Sequence, residues 1–508
     1  MASGTDRVPE LFVRTLSDLS PHRVDAARGA RYPFFSPDGT RLGYFADGQL
    51  KVVDVETGAG RVLAPAPNAR GGTWRDDDWI VFAPTTTDGL KCVPASGDGA
   101  VQALTTLRGD ELGHVLPWAL PGGRGLVFTA RHASGVSSIE TAGPTGRDAT
   151  TLVQDGRSAK VAAGQIWFVN AREEVLAAPF DAATRAITGA TAVQPERFGV
   201  FGNLGSFAFD LSATGTLVYE PFELPQRRLA IAGRDGRTVD LPGPPRAFAA
   251  PRVSWQDDRI AVGLSETTDW GDVWTGDLRG AFVPLTRDGT SRYGEWSPDG
   301  RRLVVESRRH GRGGLYVHTV GEPDTEAAPI LEGDVFPRAW LRRGALLVVP
   351  YDASGAQAMS VVEPGATAPV QLPLPVRAPT YGRLSPDDRW LAYTNSESGQ
   401  WEVYVVRVPF DGQVTSVTHG THGDQPVWAK NGRELFFSRA SGEIAAVAMG
   451  PDGPAGSPRA VGVTLPRLGQ PGEPWWDTLS DGRFLFIRSL APATPRITVV
   501  TGRLSASR

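Results

Sequence analysis

One cysteine (Cys92), three methionines and four lysines stand among 508 residues. A lone thiol excludes an internal disulfide and any cysteine-built zinc site. Neither charge sign dominates: 52 basic residues face 56 acidic ones, for a net charge of −4. The chain therefore lacks the basic footprint of a nucleic-acid binder, and no nucleic-acid partner is expected. Long apolar runs are also missing. The most apolar stretch, Ala345 to Val349, falls far short of the ~18 residues a spanning helix needs, so no membrane span is expected. The opening ten residues, MASGTDRVPE, show no basic start followed by an apolar stretch, and no signal peptide is expected. As encoded, the chain is expected to be cytoplasmic.

Uninterrupted helix-length segments are scarce as well. Sixty glycines and 41 prolines make up about one residue in five, where average usage gives ~12%. Helical bundles and doubly wound α/β enzymes need longer unbroken helices than that density permits. Apolar residues still amount to 41%, enough to bury a core, which excludes a disordered chain. The expectation is an all-β protein of many short strands.

What the chain does have is a repeat. Ser297-Pro298-Asp299-Gly300, followed by Arg301-Arg302-Leu303-Val304-Val305, recurs as Ser36-Pro37-Asp38-Gly39 and as Ser385-Pro386-Asp387-Asp388. Degenerate copies begin at Ala429 and Ser480, and fainter ones at Arg75, Ala119, Ala163, Ser212, Ser254 and Leu341. The spacing averages about 44 residues, within the ~40–50 of a four-stranded propeller blade. An apolar residue, often aromatic, precedes the turn: Phe35, Trp74, Trp118, Trp296, Trp428. Pro fixes φ, Asp bonds its own backbone and Gly supplies positive φ, so each anchor reads as a tight turn between strands. A third strand follows, as in Trp401 to Val406, and a poorer fourth ends near Thr, as at Thr286 and Thr418.

The S-P-D-G anchor, the preceding aromatic and the third strand resemble the WD40-like (PD40) repeat of TolB-type propellers and of peptidase propeller domains. Pro33 to Gly39 with Gly43 to Gly48, and Trp79 to Pro84, resemble most the C-terminal propeller sensor region of bacterial Ser/Thr protein kinases. The resemblance implies a β-propeller of about eleven four-stranded blades. Two tandem propellers are expected, with one large ring as the alternative. The expected division is 1–222 (about five blades), a Pro-rich crossover at 223–246, and 247–508 (about six blades). Leu11 to Arg14 and His22 to Val24 read as outer strands. They are expected to complete either the unit around Phe207 to Tyr219 or the last unit around Trp475 to Ile487. The kinase resemblance also implies a periplasmic or extracytoplasmic setting if the chain is a fragment of a membrane-anchored receptor.

Motifs for chemistry are few. No G-x-S-x-G nucleophile elbow occurs. His22-Arg23-Val24-Asp25 has an insertion within the kinase catalytic triplet, and no D-F-G follows. His419, His422 and Asp424 are weak metal candidates, with a solvated loop between blades as the plain alternative. Asp76-Asp77-Asp78 lacks the spaced oxygens of a calcium loop. Of seven histidines, only the 419/422 and 310/318 pairs lie close in sequence. No cofactor is expected. Four residues before the anchors stand Tyr32, Tyr293, Tyr381, Gln425 and Trp476, with Arg292 and Trp475 one earlier. At a channel mouth such residues suit a peptide or partner side chain, or they seal neighbouring blades.

Three functions fit. The first is a non-catalytic recognition scaffold for a protein or peptide ligand, TolB-like or the sensor of a kinase-type receptor. The second is a propeller enzyme, a lyase or hydrolase with a channel site, and the third an accessory propeller of a peptidase.

Overall fold

A computed structural model describes residues 9–15, 20–132, 136–170, 172–201, 206–256, 259–265, 270–309, 313–323, 329–350, 358–374, 379–397, 400–410, 412–466, 475–490 and 497–501. It is all-β, built of successive up-and-down antiparallel sheets, the β-propeller architecture. The chain forms two compact units, Met1–Glu223 with Ala493–Arg508, and Leu224–Pro492.

In the second unit the innermost strands are Phe248–Val253, Ser291–Trp296, Val335–Trp340, Thr380–Leu384, Asp424–Trp428 and Trp476–Thr478. Each touches the next, and the last returns to touch the first, so the ring closes around a central channel. Closure combines both ends of the unit. Arg227–Ala232 and Thr238–Asp240, within the Pro-rich stretch, supply the outer strands of the sheet whose inner strands are Trp476–Thr478 and Phe484–Ser489. Register runs from Arg227↔Ser489 to Ala232↔Phe484.

The first unit carries four sheets over residues 31–65, 72–103, 111–153 and 156–193. A further sheet pairs Phe209–Leu211 and Leu217–Tyr219 with Thr498–Val500 from the far C-terminus. Neither expected role of the N-terminal strands holds. Phe12–Val13 and His22–Arg23 pair with each other, because the edges they were expected to fill are taken by 498–500 and by 227–232.

The anchor turns show why the repeat is so regular. Ser297 Oγ donates to Asp299 Oδ1 (2.5 Å) and accepts the Arg302 amide (2.9 Å), while the Gly300 amide returns to the Ser297 carbonyl (2.8 Å). Ser36 and Ser385 repeat this network. Gly39 and Gly300 sit at φ 73° and 66°, and Asp388 takes the same left-handed place at 58°. Its carboxylate accepts the Arg342 amide (2.6 Å) from the neighbouring turn.

The aromatics before the anchors seal sheet to sheet. Trp296 Nε1 donates to the Arg252 carbonyl (3.2 Å) and Trp428 Nε1 to the Arg383 carbonyl (3.0 Å), each acceptor lying two residues before the preceding anchor. Trp428 also packs in one core with Trp390, Val403 and Phe437. The first repeat differs: Phe35 is 52% exposed and Phe34 faces inward. The Phe34 ring occupies the space where side chains at Gly43 and Gly72 would start.

Candidate functional site

In five repeats the residue four before the anchor sits in a bulge, while Trp476 pairs in regular register. Tyr32, Tyr293, Tyr381 and Gln425 have φ of 48°, 51°, 50° and 50°, and Ala250 joins them at 45°. At each, the pairing between the innermost strand and the next slips by one residue. An inserted residue re-aims the side chains that follow it, and, two residues on, Arg252 and Arg383 line the channel cavity.

The structure divides the row. Tyr32 lies in the first unit, partly buried against its core. Arg292 grips Glu306 through Nε (3.1 Å) and Nη2 (3.2 Å), and its guanidinium lies over Trp270 at 4.0 Å. Burial pushes the Glu306 carboxyl up, against the pull of Arg292. Tyr293 meets Phe336 edge-on at 5.5 Å. Tyr381, Gln425 and Trp476 come together on the wall of one small channel cavity, and the Trp475 amide donates to Gln425 Oε1 (3.3 Å). Tyr381, Gln425, Trp475 and Trp476 are all buried.

Across the channel runs a polar network. Arg252 Nε donates to Glu295 Oε1 (2.5 Å), and Arg383 Nη1 reaches both Glu295 oxygens (3.2 and 3.0 Å). Asp477 Oδ2 accepts the Val253 amide (2.9 Å), and Lys430 Nζ donates to the Val253 carbonyl (2.7 Å). Arg338 lines the same cavity. Burial, then the charge of Arg383, pushes Arg252 down to about 10. Burial raises Asp477, but Lys430, Arg383 and Arg252 outweigh it and hold the carboxyl below its usual range. Sequence reasoning missed this network. Its signal was a column two residues before the anchors, where Arg252, Glu295 and Arg383 stand.

His419 and His422 lie on the wall of a second cavity, about 520 Å3, between the turns at 418–422 and 439–441. Phe437 and Pro458 supply its apolar wall, and Thr418, Thr421, Arg439 and Ser441 its polar one. Asp424 is outside that lining; its Oδ1 accepts the Gln425 amide (2.8 Å). Among the described residues no three His, Cys, Asp or Glu side chains are gathered as a metal group. His310 lies outside the described residues. The Asp76 to Asp78 carboxylates serve the fold: they accept from the Gly122 amide (2.7 Å), from Arg75 (2.5 Å), and from Trp74 and Arg41 (both 2.8 Å).

Two hydroxyl–imidazole–carboxylate lines stand among the described residues of the first unit. In one, Ser138 Oγ lies 2.8 Å from His132 Nε2, and His132 Nδ1 lies 2.9 Å from Asp110 Oδ1. The other is centred on His114. Thr105 Oγ1 lies 2.7 Å from His114 Nδ1, and His114 Nε2 lies 3.0 Å from Glu111 Oε2. The Glu111 carboxylate can only accept, so the neutral imidazole carries its proton on Nε2 and Nδ1 accepts from the Thr105 hydroxyl, which in turn accepts the Leu90 amide (2.8 Å). His114 is fully buried, and burial lowers its pKa. Thr286 and Thr418 accept the Val273 and Val403 amides in the same way (3.0 and 3.2 Å). The threonine that ends the fourth strand is therefore a clasp onto the third strand, and His114 extends one clasp to a carboxylate.

No family model matches the chain, and no curated protein matches it. Among solved structures, one described as TolB from Agrobacterium tumefaciens is 16% identical, covering 53% of this chain and 99% of its own, with a TM-score of 0.39. The extracellular domain of a one-component system from B. thetaiotaomicron is 10% identical over 97% of this chain and 73% of its own, at a TM-score of 0.28. The tricorn protease is 12% identical over 83% of this chain and 49% of its own, at 0.27. The chain is similar to these proteins in fold. Among the described residues no helix is long and apolar enough to cross a membrane.

Proposed function

We propose that the chain is a non-catalytic recognition propeller that binds a protein or peptide ligand, in the manner of a TolB-like protein or of a receptor's sensor region. The observation that carries this reading is the cavity of about 520 Å3 between two turns of the second unit. It falls within the ~300–1,000 Å3 of ordinary ligand sites. Phe437 and Pro458 offer it apolar surface, while His419, His422 and Arg439 offer donors. That combination suits a peptide carrying an apolar side chain beside an acidic one. Rigid sheets that present exposed turns suit a recognition surface.

A displayed peptide library screened against the purified full chain tests the reading. The expected outcome is an enriched acidic–apolar motif whose affinity falls at least tenfold in Arg439→Glu. A motif unaffected by Arg439→Glu and by His422→Ala refutes this site. Turnover of ester, lactone or glycoside substrates, or stoichiometric bound metal, would favour the propeller-enzyme reading.

A further inference from the structure

We infer that the channel of the second unit binds one small monovalent anion of the size of chloride, held by Arg338, Arg383 and Trp476. The inference rests on the channel cavity and is independent of the peptide groove.

Three N–H donors belong to residues on the wall of that cavity and are buried without a partner among the described residues: Arg338 Nε, Arg383 Nη2 and Trp476 Nε1. Arg338 is only 7% exposed and Trp476 is fully buried. None of these groups can accept a hydrogen bond, so they call for an acceptor. A water molecule has two lone pairs and leaves the third donor unmet. An anion meets all three and also answers the charge.

That charge is real. Glu295 is shared by Arg252 and Arg383, and Asp477 sits in the field of Lys430, Arg383 and Arg252. Four cations thus face two carboxylates, and Arg338 forms no ion pair among the described residues. A buried guanidinium without a counter-charge is strongly unfavourable. Size then selects the ligand. The cavity is small, about 10 Å3, room for one water-sized or slightly larger particle. That room is on the scale of a halide.

The test uses the full chain exchanged into sodium gluconate and titrated with chloride or bromide at constant ionic strength. The melting temperature of the second unit should rise saturably, by roughly 5 °C or more at a hundredfold excess over the dissociation constant. Arg338→Gln should weaken halide binding at least tenfold. Bromide-soaked crystals of the unaltered protein should show an anomalous peak within hydrogen-bonding reach of Arg338 Nε and Trp476 Nε1, a readout that does not depend on any variant folding. A halide-insensitive melting temperature with no anomalous peak would overturn the inference. Stabilisation by acetate but not by bromide would overturn it too, since it assigns the site to a carboxylate.

Discussion

Replacing Glu295 by Gln tests the channel network most directly, because the change keeps the side-chain shape and removes one charge. Glu295 lies 2.5 Å from Arg252 and 3.0 Å from Arg383, and all three are at least four-fifths buried. A pair of charges ~4 Å apart at an effective dielectric of about 20 attracts by ~4 kcal/mol. Glu295 makes two such pairs, offset by the desolvation of the ions. Removing one partner of a buried ion pair costs ~3–5 kcal/mol net. For a unit of this size that corresponds to a fall of roughly 6–20 °C in its melting temperature.

Scanning calorimetry of Glu295→Gln beside Glu363→Gln measures the effect. Glu363 pairs with Arg343 at 2.7 Å, but its side chain is 53% exposed, so its loss should leave the melting temperature essentially unmoved. Glu295→Gln also leaves the channel more positive. Its deficit should therefore shrink when chloride replaces gluconate, by more than in the unaltered chain. Equal effects of the two substitutions would refute the argument that a buried carboxylate holds the channel arginines together.

Two further outcomes follow from the first unit and from the anchors. Burial lowers the His114 pKa, so the unfolded chain takes up a proton first as pH falls below about 6.5. Stability of the first unit should be full above that pH and decline below it, by at most ~1.4 kcal/mol per pH unit, and His114→Gln should flatten the decline in urea titrations at pH 5 to 7. Ser297→Ala removes a hydroxyl that accepts the Arg302 amide and holds the Asp299 carboxyl below its usual range. It should cost about 1 kcal/mol near neutral pH, and the cost should diminish below pH 4, where the unfolded chain's aspartates take up protons.

Much of this fold was legible because its turns are chemically explicit. Ser, Asp and Gly at fixed offsets each make a specific bond in the anchor, so the period survives in the sequence. Trp296 and Trp428 could be matched for the same reason, and their indoles do make matching bonds. The tyrosine row was visible too, yet its cause was not. Its residues, Trp476 excepted, share a left-handed bulge, a backbone property that side-chain identity reports poorly, since Tyr, Gln and Ala all occupy it. Phe35 misled because two glycines, Gly43 and Gly72, make room for Phe34 instead.

Ring closure and the channel were hidden for a different reason: both depend on contacts between residues far apart in the chain. Short strands such as Phe12–Val13 and Thr498–Val500 carry too few residues to declare a partner. The strands at 227–240 were obscured by prolines at 221, 225, 242, 244 and 245, which flank them without interrupting them. Arg252, Glu295 and Arg383 share one column of the repeat, but a column shows only that residues occupy equivalent places. Whether equivalent places repel or pair depends on how many sheets complete the circle. Here Arg383 reaches past the strand that bears Arg338 to Glu295 two sheets away, and the carboxylate it finds is already held by Arg252. A single carboxylate held by two arginines of its own column thus ties three sheets together, which is why the channel concentrates charge where a propeller core is otherwise apolar.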